Sequence, residues 1–240
     1  MSVHSLIAAA ILPLTMVFVE AGEATIDFDN EILPIFTKAG CNTGACHGAA
    51  VGRGGFRLSL YGGDPASDYQ SIVLELEGRR VNPAQPEESL VVLKPTESVS
   101  HEGGTRLEYD GDGANLLTDW IRQGTPRPDT KRLEEFQVSP KSYVADQINS
   151  TLQLTAKAKF NNGTVVDVTH TTVFTAEDPS AVAIDPQTAS AKLLRRGRHI
   201  VVARYLDRVV PLELIVPLAD DAIDLSTSPR HNFIDDEILR

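Results

Sequence analysis

The sequence predicts a two-domain α plus β protein, in which a small, mainly helical domain is followed by an all-β sandwich. Three observations predict this fold class. The first half contains short segments with apolar residues at helical spacing, separated by glycine-rich loops. From about Pro140 onward, apolar and polar residues alternate as they do in strands. The chain has 240 residues, of which 42% are hydrophobic, so it suits one large or two small globular domains, and the change of pattern favours two.

The chain opens with an apolar segment at residues 6–19. This length is typical of the core of a signal peptide, and Val19 and Ala21 provide small residues for cleavage. We therefore expect residues 1–21 to be removed on export, although the segment lacks the usual preceding Lys or Arg. Later segments of the sequence are too short to span a membrane.

Helical segments are predicted at both ends of the first domain, which we place at residues 22–130. Residues 29–40 begin with acidic and amide residues suited to a helix N-terminus and end in glycine. Residues 114–124 place Trp120 on an apolar face. We expect these two helices to pack together. Two shorter helices are predicted at residues 68–76 and 86–94.

Six or seven short strands are predicted between residues 150 and 218. Residues 152–160 alternate in polarity, and residues 164–169 follow after the turn Asn161-Asn162-Gly163, which is typical of a hairpin. Strands at such short intervals predict a two-sheet sandwich. Residues 131–149 are interpreted as a linker and residues 219–240 as an acidic tail or linker.

The motif with the clearest chemistry holds the only two cysteines, Cys41 and Cys46, with His47 directly after the second. Covalent haem attachment uses two thiols and an adjacent imidazole, usually as C-x-x-C-H, and the spacing here is two residues longer. A local disulfide is a serious alternative. A zinc site is a weaker one, because no second ligand pair of normal spacing is present.

Beyond this motif, each half contains several short segments with a recognisable pattern. They are Leu33-Pro34-Ile35-Phe36, Gly55-Phe56-Arg57-Leu58-Ser59-Leu60, Gly78-Arg79-Arg80 and Trp120-Ile121-Arg122-Gln123-Gly124, and in the second half 162–169 and 182–185. Through them, residues 28–126 resemble the cytochrome c-like domain of large exported planctomycete proteins. Residues 150–216 resemble a bacterial Ig-like domain. The resemblance implies that further domains follow in such proteins.

The resemblance implies a role for each matching residue. Cys41 and Cys46 would carry the thioether bonds of a haem c, and His47 would be the proximal iron ligand. Because both methionines lie in the export segment, the loop that offers the sixth ligand in small cytochromes c offers His101 instead. Candidate residues of the haem pocket are Phe36, Phe56, Arg57 and Trp120. The arginines Arg53, Arg57, Arg79, Arg80 and Arg106 form a further set that could pair with haem propionates.

These residues predict covalent haem binding and single-electron transfer in an exported, periplasmic or cell-surface protein. Two alternatives stay open: a haem-free adhesion or scaffolding module with a Cys41–Cys46 disulfide, and peroxide or small-ligand chemistry at an open haem iron. The net charge of −11 disfavours nucleic-acid binding. The acidity of the first half instead predicts a redox partner protein with a basic surface, and electron transfer that slows as salt rises.

Overall fold

The computed structural model describes residues 24–128, 131–219 and 227–238. The predicted export segment, residues 1–21, and part of the predicted acidic tail lie outside the described residues. Within the described ranges, no helix combines the length and the apolar character that crossing a membrane would need.

The first half, up to residue 128, is built from short helical pieces joined by loops. Its α-helices are α1 (Leu33–Lys38), α2 (Pro65–Tyr69), α3 (Leu90–Leu93) and α4 (Asp112–Arg122). Single turns of π- or 3₁₀-helix lie at Phe28–Ile32, Leu60–Gly62, Gln70–Leu74, Glu75–Gly78 and Pro86–Glu88. Among the helices described in residues 24–128, only α4, with 11 residues, exceeds two turns.

The two terminal helical segments of this half form its core. The carboxylate of Asp27 caps the first segment by accepting hydrogen bonds from the backbone of Asp29 and Asn30. Phe28 and Trp120 are fully buried, and their ring centroids lie 5.4 Å apart. The predicted contact between the two ends of the domain is therefore present, and it encloses the aromatic side chains.

The helix predicted at residues 68–76 ends two residues early, because α2 runs directly into the π-helical turn Gln70–Leu74 and Glu75 is extended (ψ 146°). Leu76, Glu77 and Gly78 all have positive φ angles, of 54°, 59° and 72°. Such angles turn the chain out of the right-handed helix, and they are unfavourable for residues other than glycine. The chain therefore reverses at Leu76 and exposes its side chain.

The second half contains three β-sheets. Their strand orders are β1-β4-β5, β2-β10-β9-β6 and β3-β8-β7. The strands are β1 (Leu133–Ser139), β2 (Ser142–Val144), β3 (Thr151–Gln153), β4 (Thr155–Phe160), β5 (Val165–Asp167), β6 (Val173–Ala176), β7 (Val182–Asp185), β8 (Ser190–Leu193), β9 (Gly197–Tyr205) and β10 (Arg208–Val216). A last short helix, α5, spans Phe233–Ile238. Strands β1 and β2 lie in the stretch interpreted from the sequence as a linker, and the predicted hairpin turn joins β4 to β5.

The predicted fold class, a mainly helical cytochrome c-like domain followed by an Ig-like sandwich, is wrong. Most of the regular structure between residues 24 and 238, as far as it is described, is β, in three sheets, and the described part of the first half has no clear helical cytochrome domain. The physical reason is that its predicted helices break. Ser89 is extended (ψ 134°) between a 3₁₀ turn and α3, and residues 76–78 turn the chain at positive φ.

The two halves touch through their side chains. The hydroxyl of Tyr205 on β9 donates to the carbonyl of Asn30 (3.0 Å), and Nζ of Lys38 donates to the carbonyl of Thr172 (2.6 Å). The guanidinium of Arg204 lies 4.6 Å from the centroid of the Tyr61 ring. Burial raises the pKa of Tyr205 and lowers that of Lys38. The first half thus rests on the sheet that contains β9.

Strand β10 is central to the sheet β2-β10-β9-β6, and Leu214 on it is fully buried. We expect Leu214→Ala to lower the free energy of unfolding by about 3 kcal/mol, since a buried leucine leaves a cavity when it is truncated. Urea denaturation measures this loss. Val209→Ala on the same strand is the control, because Val209 is 48% exposed. Equal effects of the two variants would contradict the assigned burial.

Candidate functional site

The loop after α1 folds back on itself and brings the two cysteines together with the adjacent histidine. Gly40, at φ 75°, ends the helix, and the amide of Cys41 donates to the carbonyl of Phe36 (2.9 Å). The amide of His47 then donates to the carbonyl of Cys41 (2.9 Å). This last hydrogen bond closes the loop, so Cys46 and His47 lie beside Cys41 despite the two extra residues between the thiols.

This loop forms one wall of a cavity of about 560 Å³. The remaining walls come from the Gly-rich segment around Phe56, the turn around Leu76, helix α3 and the loop that carries His101. The lining residues are Phe36, Cys41, Cys46, His47, Arg53, Gly54, Phe56, Leu76, Arg79, Arg80, Leu90, Val91, Lys94, Pro95, Ser100, His101, Glu102, Gly103 and Arg106. Apolar side chains, two thiols, two imidazoles and several cations therefore converge on one space.

His47 is held in one orientation by the segment opposite the loop. Its Nδ1 lies 3.0 Å from the carbonyl oxygen of Phe56, and the two ring centroids are 4.6 Å apart. Burial lowers the pKa of His47, chiefly by penalising its charged form. A neutral imidazole facing a carbonyl carries its proton on Nδ1, which leaves the lone pair of Nε2 free to bind a ligand.

His101 is held in a matching way from the other side. Its Nδ1 lies 3.0 Å from the carbonyl oxygen of Gly104, within the loop that follows α3. The two imidazoles, of His47 and His101, have centroids 6.4 Å apart and ring planes only 12° from parallel. Residues 54 positions apart in the sequence are thus paired across the cavity.

The two thiols differ in environment. Cys41 is buried, and desolvation raises the pKa of its thiol to about 12, so it is a neutral group at physiological pH. Cys46 is half-buried, and its Sγ lies 3.9 Å from Nη2 of Arg106. Both cysteines are free thiols in the structure.

Arg80 is a buried cation in the cavity wall, with 7% of its surface exposed. Its guanidinium donates to the carbonyls of Ser71 (2.6 Å) and Gly55 (3.2 Å) and pairs with the carboxylate of Glu75 (3.2 Å). It also lies 4.5 Å from the centroid of the Phe56 ring. Since Phe56 contacts His47, Arg80 supports the histidine indirectly.

The predicted site residues are only partly brought together. Cys41, Cys46, His47, His101, Phe36 and Phe56 all line the cavity. Trp120 does not, because it is enclosed in the core beside Phe28 and Tyr69. Arg57 is exposed and also lies outside the cavity lining.

Sequence analysis did not distinguish the cations that line the cavity from those that lie outside it, and it did not name the apolar residues of the lining. Four of the five arginines considered for propionates line the cavity, and Lys94 joins them. Leu90 and Val91 line it from α3, which the sequence predicted only as a helix. The apolar run at residues 90–93 was the signal that this helix would be covered.

The chain has few similarities to known proteins. No family model matches it, and it matches none of the curated proteins. Similar solved structures include surface layer protein SbsC, domains 1–6, with 10% identity, a TM-score of 0.30, and coverage of 37% of this chain and 13% of that one. The S-layer protein rSbsC(31-844) has 8% identity, a TM-score of 0.31, and coverage of 39% and 14%. This chain therefore spans about one seventh of the length of these structures.

The family resemblances stated from the sequence are corrected by these findings. The identification of residues 28–126 with the planctomycete cytochrome c-like domain, and of residues 150–216 with an Ig-like domain, is wrong, since no family model matches either part. The described residues also hold no group of three or more His, Cys, Asp or Glu side chains that could bind a metal ion. The expectation of a recognisable metal-binding cytochrome is therefore wrong as well, and the cavity must be interpreted from its own residues.

Proposed function

We propose that this protein binds a haem covalently through Cys41 and Cys46, that His47 and His101 would hold its iron, and that the bound haem would supply single-electron exchange. The observation that carries the proposal is the pair of near-parallel imidazoles, 6.4 Å apart between centroids, in a cavity that both cysteines line. The proposal rests on this geometry and not on membership of a family.

The spacing of the imidazoles supports this assignment. Two imidazoles that bind one metal ion from opposite sides, with metal–nitrogen bonds of about 2 Å, have ring centres about 6 Å apart. The Nδ1 atoms of His47 and His101 both contact backbone carbonyls, which favours Nε2 as the ligating atom in each ring. A porphyrin supplies four nitrogen ligands itself, so two protein ligands suffice and a cluster of three is not required.

The size and lining of the cavity support it too. Its volume of about 560 Å³ is within the range of roughly 300–1,000 Å³ that is usual for pockets of organic ligands and cofactors. Phe36, Leu90 and Val91 offer apolar contacts, and Arg79 and Arg106 offer cations for two propionate groups. The neutral thiol of Cys41 needs no charged partner, which suits a residue that ends as a thioether.

The residues around the iron ligands determine what the haem can do. Bound haem would supply a one-electron iron couple, and ligation by a second imidazole instead of methionine favours a lower reduction potential. The carbonyls of Phe56 and Gly104 hold the two imidazoles in place.

We also propose that the protein is exported, in line with the expected signal segment and with haem attachment outside the cytoplasm.

Intact mass and a pyridine haemochrome spectrum test the proposal directly. We expect the protein exported from a host that matures c-type haem to gain the mass of one haem and to give the spectrum of a haem with two saturated vinyl groups. A Cys41→Ser, Cys46→Ser double variant should lose the covalent haem while retaining its fold by circular dichroism. A wild-type mass lower by two hydrogens, with no haem spectrum, would show a disulfide and overturn the proposal.

A further inference from the structure

The mouth of the cavity carries an excess of positive charge in a chain that is strongly acidic overall. Arg53, Arg79, Lys94 and Arg106 are exposed cavity-lining residues, and the lining contains one carboxylate, that of Glu102. The chain as a whole has a net charge of −11. The charge around the site is thus opposite in sign to the charge of the molecule.

These four cations are not neutralised by neighbouring carboxylates. Among the described residues, none of them forms an ion pair, whereas the buried Arg80 is paired with Glu75. Nζ of Lys94 donates to the carbonyl of Ser100 (2.6 Å), and Nε of Arg106 donates to the carbonyl of Gly103 (2.8 Å). These backbone contacts fix the two cations in place and leave their charge uncompensated.

We infer that this cationic mouth is the docking surface for an acidic redox partner, an inference that rests on the proposed haem site. The two haem propionates would pair with two of the four cations. The remaining two cations still outnumber the one carboxylate of the cavity lining, that of Glu102. Leu76, held at positive φ and 60% exposed, adds an apolar contact at the same mouth. An acidic protein surface placed here would lie next to the haem, where electron exchange is fastest.

The inference reverses the expectation from net charge, which favoured a basic partner. At an ionic strength of about 0.1 M the screening length is about 10 Å, so an approaching molecule senses the charges around the mouth more than those on the far side. Local charge therefore decides the sign of the interaction under these conditions.

Charged inorganic oxidants test this sign without knowledge of the partner. The reduced haem-loaded protein is mixed in a stopped-flow instrument with ferricyanide, an anion, or with tris(phenanthroline)cobalt(III), a cation. Between about 0.1 and 0.5 M ionic strength we expect the ferricyanide rate to fall roughly threefold and the cobalt rate to rise. The opposite pair of salt dependences would overturn the inference.

A pair of matched variants localises the effect. Arg53→Glu and Lys157→Glu change the net charge equally, but Lys157 lies exposed on β4, outside the cavity lining. We expect Arg53→Glu, which changes a cation not assigned to a propionate, to slow the ferricyanide reaction roughly fivefold at about 0.1 M and Lys157→Glu to change it little. Equal effects would assign the attraction to net charge and overturn the inference. The haem content of each sample, measured by pyridine haemochrome, separates the two proposals. If the protein holds no haem, both the proposed function and the docking surface are overturned. If haem is present but the salt dependence is the opposite of the expected one, only the docking surface is overturned.

Discussion

Replacing His101 by alanine is expected to convert the haem protein from a six-coordinate, low-spin form to a five-coordinate, high-spin form. His101 is the residue whose imidazole faces that of His47 across the cavity, at 6.4 Å between centroids. In the proposed haem site, its removal would take away one iron ligand and would leave the proposed covalent attachment at Cys41 and Cys46 untouched. The visible and electron paramagnetic resonance spectra report the change directly.

The same variant should gain reactivity. With one axial position open, carbon monoxide is expected to bind the reduced His101→Ala protein at least about tenfold faster than it binds the wild type, because no protein ligand must first dissociate. The reduction potential should also rise, since one strongly donating imidazole is lost. A carbon monoxide titration and a spectroelectrochemical titration measure these two effects.

His170→Ala is the matched control. His170 is exposed in the turn after β5, outside the cavity lining, so its loss should leave the spectrum unchanged. A low-spin, six-coordinate spectrum in His101→Ala would contradict the assignment and show that another group binds the iron. Retention of the wild-type thermal midpoint in both variants would exclude unfolding as the cause of any change.

The candidate site was largely predictable because its chemistry is local in the sequence. Cys41, Cys46 and His47 lie within seven consecutive residues, so their proximity needs only a folded loop. His101 was found by its place in a loop and by the lack of a methionine. That its ring faces His47 depends on how the loop after α3 packs, which no local pattern contains.

The candidate residues that lie outside the cavity lining share one physical cause. An apolar face on a helix predicts burial but not what lies against it, so Trp120 was named as a candidate pocket residue, and the structure places it against Phe28 in the core. Likewise, sequence cannot tell which of several arginines is desolvated. Arg80 is buried by three acceptors and an aromatic ring, whereas Arg57 remains exposed.

The fold class failed for a related reason. Helical spacing of apolar residues was taken to mean longer helices than those that form, and just after the end of one of them Leu76 and Glu77 adopt positive φ angles that their residue types do not favour. Tertiary packing imposes such conformations against local preference, as at many functional loops. Here the distorted turn supplies Leu76 to the cavity lining, so the failure of local prediction coincides with the site.

Gly48→Ala is expected to prevent assembly of the site altogether. A Cβ atom at this position would lie 2.2 Å from the carbonyl oxygen of Asn42 and 2.8 Å from that of Thr43. Both contacts are with backbone, which cannot move aside as a flexible side chain would. The amide of Gly48 also donates to the carbonyl of Thr43 (3.0 Å), so the close approach is part of the loop.

The alanine at position 48 would therefore force open the loop that places Cys46 and His47 beside Cys41. We expect at least about tenfold less covalent haem per protein, and a loss of about 2 kcal/mol in the free energy of unfolding of the haem-free chain, as for other overpacked sites. Pyridine haemochrome and urea denaturation give the two numbers. Because the second measurement needs no haem, it tests the loop geometry separately from the cofactor.

Gly44→Ala provides a control in the same loop, because a Cβ atom there would meet nothing within 4 Å. It shares the change in backbone entropy with Gly48→Ala and lacks the collision, so it should load haem normally and retain or slightly gain stability. Equal behaviour of the two variants would mean that the loop tolerates displacement at Gly48. The close contact between Gly48 and Asn42 would then not position the cysteines and the histidine. Some other feature of the loop would have to bring Cys46 and His47 next to Cys41.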